Sequence, residues 1–182
     1  MDFSDLIHIR QSVRSYKDRA VESWKVEKLI DAVRYAPSAS NSQPWRLIMV
    51  TDPEKKEAVA RATYSRLVSF NRFASQAPAL AVLTIEKAKI VTQIGAKLKD
   101  REFSLIDIGI AASHFCLQAA ELGLGTCMLG WFDEDAIKAQ LEIPAKVRIG
   151  LVITLGYGND ANRAKIRKKK EQMSSFNSYH QR

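Results

Sequence analysis

Two cationic clusters stand near opposite ends of this chain, and their residue types suit the grip of a phosphate. The first is Arg10-Gln11-Ser12-Val13-Arg14. Guanidinium groups make charge-assisted bonds to phosphate oxygens, while Ser12 and backbone N–H groups add directional ones. In an extended segment Arg10, Ser12 and Arg14 project to one face. The second cluster is the tail, which includes Lys165, Arg167, Lys168, Lys169 and Lys170. Residues 163–182 hold seven lysines and arginines against Glu171, a net +6 of the chain's +8, so residues 1–162 are nearly balanced. Taken singly, each cluster also reads as solvated surface charge or as an attractor of polyanions.

Two further segments offer polar groups to a ring. Residues 36–45, Ala-Pro-Ser-Ala-Ser-Asn-Ser-Gln-Pro-Trp, crowd hydroxyls and amides into a helix exit. They could address a ring's polar edge, although turns are built from the same residue types. Residues 123–131, Gly-Leu-Gly-Thr-Cys-Met-Leu-Gly-Trp, lack the spacing of a phosphate loop or a dinucleotide fingerprint. Their backbone N–H groups could approach a planar cofactor, with Gly130 allowing contact; a plain helix ending before a core segment fits too. His8, His114 and His180 are scattered, and Cys116 and Cys127 sit in apolar runs. Metal-ligand spacing is absent, and reduced, buried thiols are expected.

The elements that must position these groups follow from periodicity. Phe3, Leu6 and Ile7 predict a short helix ending near Arg10. Ser23 is the expected cap of a second helix whose stripe is Val26, Leu29, Ile30 and Val33. Strands are expected at 45–50, 79–85 and 148–157, and Asp52-Pro53 opens another helix. Residues 103–122 form the longest helix, with Gly109, Ala111, Ala112 and Ser113 permitting close approach by a second helix. Gly123-Leu124-Gly125 closes it, and Asp133 caps a short helix before Pro144. Residues 86–101 are basic and carry no clear period.

A chain of 182 residues with 46% hydrophobic content can build one sizeable core. We therefore expect a single α+β domain over 1–182, with a basic extension at 163–182. The longest uncharged stretch, 108–120, is too short to span a bilayer, and the N-terminus shows no secretory signal. A reducing cytoplasm is the expected compartment.

In order and spacing, these segments resemble the nitroreductase family of flavin mononucleotide (FMN) enzymes. The resemblance rests on the Arg-x-Ser-x-Arg start, Ala-Pro-Ser-x-x-Asn-x-Gln-Pro-Trp, Asp107-x-Gly109 opening a long helix, Ala119-Ala120-x-x-Gly123-Leu124-Gly125, Gly130-Trp131 and the basic tail. It extends over most of residues 4–167. It implies a central, mainly antiparallel sheet flanked by helices, and an intimate homodimer with two FMN sites at the subunit interface. Arg10, Gln11 and Ser12 match positions around the phosphate and ribityl chain, and Arg14 a position near the pyrimidine edge. Lys165 and Arg167 match a late phosphate clamp. Pro37, Ser38 and Ser40 match positions that reach the flavin from the opposite subunit. Leu129 and Gly130 match the segment whose backbone approaches flavin N5. Asn71 and Arg72 fall near flavin-contacting positions, though ordinary surface residues fit there as well. Trp131 and Phe132 could wall the pocket or pack a helix.

Three departures stand out. Gln11 occupies a place often filled by a more basic residue. Gly158 stands where many relatives have proline. The region between Ile85 and Phe103, which often shapes the substrate entrance, is short.

The resemblance implies a ping-pong oxidoreductase: NADH or NADPH delivers hydride to FMN, and nitroaromatics or quinones then take the reducing equivalents. The protein contributes orientation and electrostatics, so no protein nucleophile is required. One competing reading is a flavin-binding scaffold without general reductase activity. Another is a nucleic-acid-binding protein, favoured by the tail and a pI of 9.6. No recognition helix, zinc finger or paired nucleic-acid motif accompanies that charge.

Overall fold

Four apolar runs become the strands of one sheet in the structure, a computed structural model that describes residues 1–87 and 102–179. They are β1 (Trp45–Val50), β2 (Ala79–Ile85), β3 (Gly125–Leu129) and β4 (Arg148–Gly156). Their order is β1-β2-β4-β3, and every neighbouring pair is antiparallel. β3 is the strand that the periodicity did not announce.

Side-chain alternation sends β2 into two cores. Leu80 and Val82 face one, and Ala79, Ala81 and Leu83 the other. On β4 the pairing shifts between Leu83 and Thr84, which oppose Leu151 and Ile149. This bulge flips the phase, so Ile149 joins Val152 in the first core.

Helices cover both faces. α2 (Ser23–Arg34) and α4 (Phe103–Glu121) fill the second core, with α1 (Phe3–Ile9) packed against α4. α3 (Pro53–Arg61) and α5 (Glu134–Leu141) cover the first, together with a 3₁₀ turn at Arg72–Gln76. Asp52 and Asp133 cap α3 and α5 as expected, accepting from Lys55 N at 2.9 Å and Ala136 N at 3.0 Å. By length and composition α4 could cross a membrane, beyond what the uncharged 108–120 stretch suggested. Here it buries Ile108, Ala111, Ala112, Phe115, Cys116 and Ala119 in the core, as the central helix of a globule does. It ends in paired bonds, Gly123 N to Ala120 O and Leu124 N to Ala119 O. Gly123 supplies the left-handed φ of 73° that this ending requires.

Ser23 does not cap α2. Glu22 holds the cap position without a side-chain bond to the helix, because its carboxylate is engaged elsewhere. The Tyr157 hydroxyl donates to Glu22 Oε2 at 2.6 Å, and Arg19 Nη2 donates to Oε1 at 2.7 Å. Lys25 Nζ reaches Tyr157 Oη at 2.8 Å and the Leu122 carbonyl at 2.9 Å, tying α2 to the ends of β4 and α4. The Tyr157 bond is the largest influence holding the Glu22 carboxyl at about 2. A depressed carboxyl pKa stabilises the fold fully above its unfolded value of about 4.3, and the benefit fades as pH falls toward 2. Glu22→Gln should therefore flatten the melting temperature between pH 5 and 2 relative to wild type. Parallel acid limbs in the two proteins would show that the network contributes nothing.

After α1 the chain turns back along the outer edge of β3. Ser12 bridges Thr126 in parallel sense, with Val13 N donating to Thr126 O at 2.9 Å. Tyr16 then bridges Gly158. Val13 and Tyr16 are buried, and Tyr16 Oη shares a 2.6 Å bond with Thr154 Oγ1. Gly125 makes this approach possible, since a Cβ there would stand 2.6 Å from Val13 Cγ2. With Val13 facing inward, Arg14 is left exposed and Ser12 half-buried.

Candidate cofactor site

The extended segment brings the two cationic clusters together. The chain leaves β4 beside residue 15, where Asn159 N donates to Ser15 O at 2.9 Å, and runs back toward α1. Lys165 Nζ donates to the carbonyls of Ile7 (2.8 Å) and Arg10. Arg10, Arg163, Lys165 and Arg167 then line one open cleft of about 600 Å3 with Ile7 and His8. Among the described residues none of Arg10, Lys165 or Arg167 is paired with a carboxylate. Partial burial, followed by the nearby charges of Arg10 and Arg167, pushes the Lys165 ammonium below the usual lysine range. Crowded, unneutralised cations of this kind suit an anion. A groove of similar size between α1, α2 and α4 bears Asp31 and Glu121 beside its apolar wall, a poor setting for a phosphate.

Gln11 and Ser12 lie beside the cleft. The Gln11 amide is bonded to the tail: Nε2 donates to Ala161 O at 3.0 Å and Oε1 accepts from Arg163 N at 3.1 Å. The Ser12 carbonyl accepts from Arg163 Nη2 at 2.6 Å. Arg163 also lies 3.8 Å from Asp160, whose carboxylate accepts from the Arg14 backbone N–H at 2.8 Å. Sequence reasoning left both Arg163 and Asp160 out of the site. Their spacing, a basic residue three after an acid at the head of the tail, was the available signal.

Arg10 and Arg14 mark two ends of the site. Four steps of extended chain separate them, or roughly 13 Å. Because Ser12 and Thr126 bridge in parallel sense, the chain from Arg10 to Arg14 runs the same way as β3 toward Gly130. Leu129 is buried and Gly130 exposed, and among the described residues no atom beyond its two chain neighbours lies within 4 Å of where a Gly130 Cβ would stand. Packing within the chain therefore does not demand glycine there. The open space fits a ring lying against the backbone, and the cation cluster at the other end fits a phosphate, so the residues present suit FMN.

Beyond β3, Asn71 is buried and its Nδ2 donates to the carbonyls of Thr63 (3.1 Å) and Trp131 (3.3 Å), bracing the segment after Gly130. The Arg72 guanidinium lies over the Tyr64 ring. Trp131 is partly exposed and meets Phe70 edge-on at 6.2 Å, while Phe132 packs against the first core. Cys116 and Cys127 are free and buried, and burial raises the Cys116 thiol to about 11, which leaves it inert at neutral pH.

Pro37, Ser38 and Ser40 lie elsewhere. Their segment forms a tight turn with a 3₁₀ core at Ala39–Asn41, and Ser40, Asn41 and Gln43 adopt left-handed φ of 52°, 50° and 47°. Such conformations are costly for non-glycine residues and persist when neighbours enforce them. Ser38 Oγ accepts from Gln43 N at 2.9 Å, and Asp107 Oδ1 accepts from Ala39 N at 3.0 Å. Asp107 Oδ2 and Ser42 Oγ are buried and have no hydrogen-bond partner among the described residues. Asp107 precedes Ala120, which stands near Arg10, by thirteen helical residues, or about 20 Å. One chain therefore does not bring this turn to the phosphate end of its own site.

Comparison with known proteins agrees with this geometry. Residues 7–157 match the model of the nitroreductase family. A nitroreductase family protein from Clostridium novyi NT superposes with a TM-score of 0.77 at 29% identity, over 88% of this chain and 87% of that one. The FMN-dependent nitroreductase of Clostridium difficile R20291 gives 0.79 at 27% identity, over 96% and 98%. An FMN reductase [NAD(P)H] of Bacillus subtilis is 28% identical over 181 residues, covering 93% of this chain and 71% of that protein. A sheet, a cation cleft and an open glycine backbone in this arrangement, with a family match across 7–157, make the chain a member of the nitroreductase family of FMN-dependent oxidoreductases.

Proposed function

We propose that the chain is an NAD(P)H-dependent FMN oxidoreductase that works as a homodimer and reduces small planar acceptors such as nitroaromatics and quinones. The observation that carries this reading is the convergence of Arg10, Lys165 and Arg167, without carboxylate partners among the described residues, on one cleft near the start of β3. Bound FMN supplies the redox chemistry, accepting hydride from a nicotinamide and passing reducing equivalents to a second substrate.

The chain's own groups bind and orient. Arg10, Lys165 and Arg167 hold the phosphate, with Gln11 and Ser12 beside them. The backbone at Leu129 and Gly130 offers a directional N–H, which a change of the Leu129 side chain need not remove. Arg14 lends positive charge at the ring end. Pro37, Ser38 and Ser40 come from the second subunit, which the length of α4 between this turn and the phosphate end, about 20 Å, favours. The partly exposed Leu105 and Ile106 of α4 give that subunit apolar surface to cover.

The test is to purify the protein gently, denature it and chromatograph the released chromophore. FMN is expected, with bleaching of its absorbance by NADH or NADPH under anaerobic conditions. Apoprotein that refuses added FMN defeats the proposal. Assembly is tested separately by dilution-dependent light scattering, which should retain a dimer through low micromolar concentration. A stable, FMN-loaded monomer there would exclude the shared site.

A further inference from the structure

We infer that Gln11 is the positioning residue of the phosphate clamp, a neutral clasp that carries Lys165 and Arg167 onto the cleft; the inference rests on the FMN reading above. After the Asn159 N to Ser15 O bond, no backbone–backbone hydrogen bond among the described residues holds positions 160–167 to the body. Side chains hold them instead. The Gln11 amide donates to Ala161 O and accepts from Arg163 N, two residues apart, in the way that a neighbouring strand would pair with both. Arg163 and Lys165 add bonds to the carbonyls of Ser12, Ile7 and Arg10.

The choice of glutamine follows from the charge around it. Arg10, Arg163, Lys165 and Arg167 line the same cleft, so before an anion arrives they repel one another and tend to lift the tail. A cation at position 11 would add to that repulsion. A carboxylate would pair with Arg163 N–H but could not donate to Ala161 O, and it would oppose a phosphate. The neutral amide satisfies both backbone groups and preorganises the clamp, lowering the ordering cost at binding. Gly158, at the exit from β4, leaves this tail less constrained by its own backbone, which makes an external clasp more consequential.

The experiment is a mutant cycle on FMN affinity in the full chain, by fluorescence titration of wild type, Gln11→Ala, Lys165→Ala/Arg167→Ala and the triple variant. Losing the two bonds should weaken FMN about tenfold in the wild-type background. The same change should cost less than about twofold where the clamp cations are already gone. Gln11→Met, close in length but unable to make either bond, should reproduce Gln11→Ala and covers the case in which that variant folds poorly. Tryptic cleavage of the apoprotein after Arg163 and Arg167 should accelerate in both. An equal loss in both backgrounds would mean that Gln11 touches the cofactor itself and would overturn the clasp. Unchanged FMN affinity with unchanged cleavage would overturn it as well. Wild type that binds no FMN overturns the FMN reading and this inference together; wild type that binds FMN with Gln11→Ala unaffected overturns only the clasp.

Discussion

Lys165→Ala combined with Arg167→Ala should weaken FMN binding by roughly 100-fold or more while leaving the fold intact. Each charge-assisted contact to a phosphate is worth about 1.5–3 kcal/mol, so two of them correspond to roughly two to four decades. Arg167 is exposed and screened by solvent, which places the expectation at the lower end. Lys165 is half-buried and already destabilised as a cation by its surroundings, so an arriving phosphate gains most there. The matched control is Lys169→Ala with Lys170→Ala. Those residues begin α6 (Lys170–Met173), are exposed, and do not line the cleft. They should change affinity less than about threefold, by diffuse attraction alone. Fluorescence titration at fixed salt, with circular dichroism to verify the helices, separates the pairs. Equal affinity in the two double variants would mean that the tail acts as general surface charge.

That division of labour was partly visible before the structure, and the limits of visibility have physical causes. The strands at 45–50 and 79–85 and the long helix after 103 are sustained apolar elements, and local sequence defines them. β3 was missed because Gly125-Thr126-Cys127-Met128-Leu129 is short, opens on glycine and does not alternate. It is buried at four of its five positions, paired with β4 on one side and met by the N-terminal segment on the other. Ser23 read as a cap because serine commonly caps helices, but Glu22 takes the cap position, its carboxylate bonded to Tyr157, 135 residues away. The meeting of Arg10 with Lys165 was anticipated through family resemblance, whereas the Gln11 clasp was not, since contacts across some 150 residues leave no local period. The expected entrance region between 85 and 103 lies largely outside the described residues. The short turn at 38–43 was legible as a turn; its run of left-handed serine, asparagine and glutamine was not, because Asp107 enforces it from a distant helix.

Arg14→Ala should slow anaerobic bleaching of the flavin absorbance by NADH or NADPH about 100-fold, while loosening FMN less than about tenfold. The backbone at Arg14 is pinned by Asp160 through its N–H, so truncating the side chain leaves the segment in place. The guanidinium is exposed, and among the described residues it has no carboxylate partner to share its charge. It lies toward the Gly130 end of the site, roughly 13 Å from the phosphate cations, where family resemblance puts the pyrimidine edge. A positive charge there acts chiefly when negative charge develops on reduction, so its loss should appear in the rate more than in the ground-state affinity. Arg14→Lys keeps the charge without the planar fork and should recover part of the rate. Stopped-flow absorbance gives the reduction rate, and titration gives the affinity. Equal losses in both would reassign Arg14 to simple binding. In the same apparatus, wild type that stays oxidised with either nucleotide would sink the reductase reading. Fast reduction with no reoxidation by nitroaromatics or quinones would leave the donor standing and refute only the acceptor class. Where both half-reactions run, the proposed ping-pong cycle has nicotinamide and acceptor using the flavin in turn, and steady-state rates should follow a substituted-enzyme pattern.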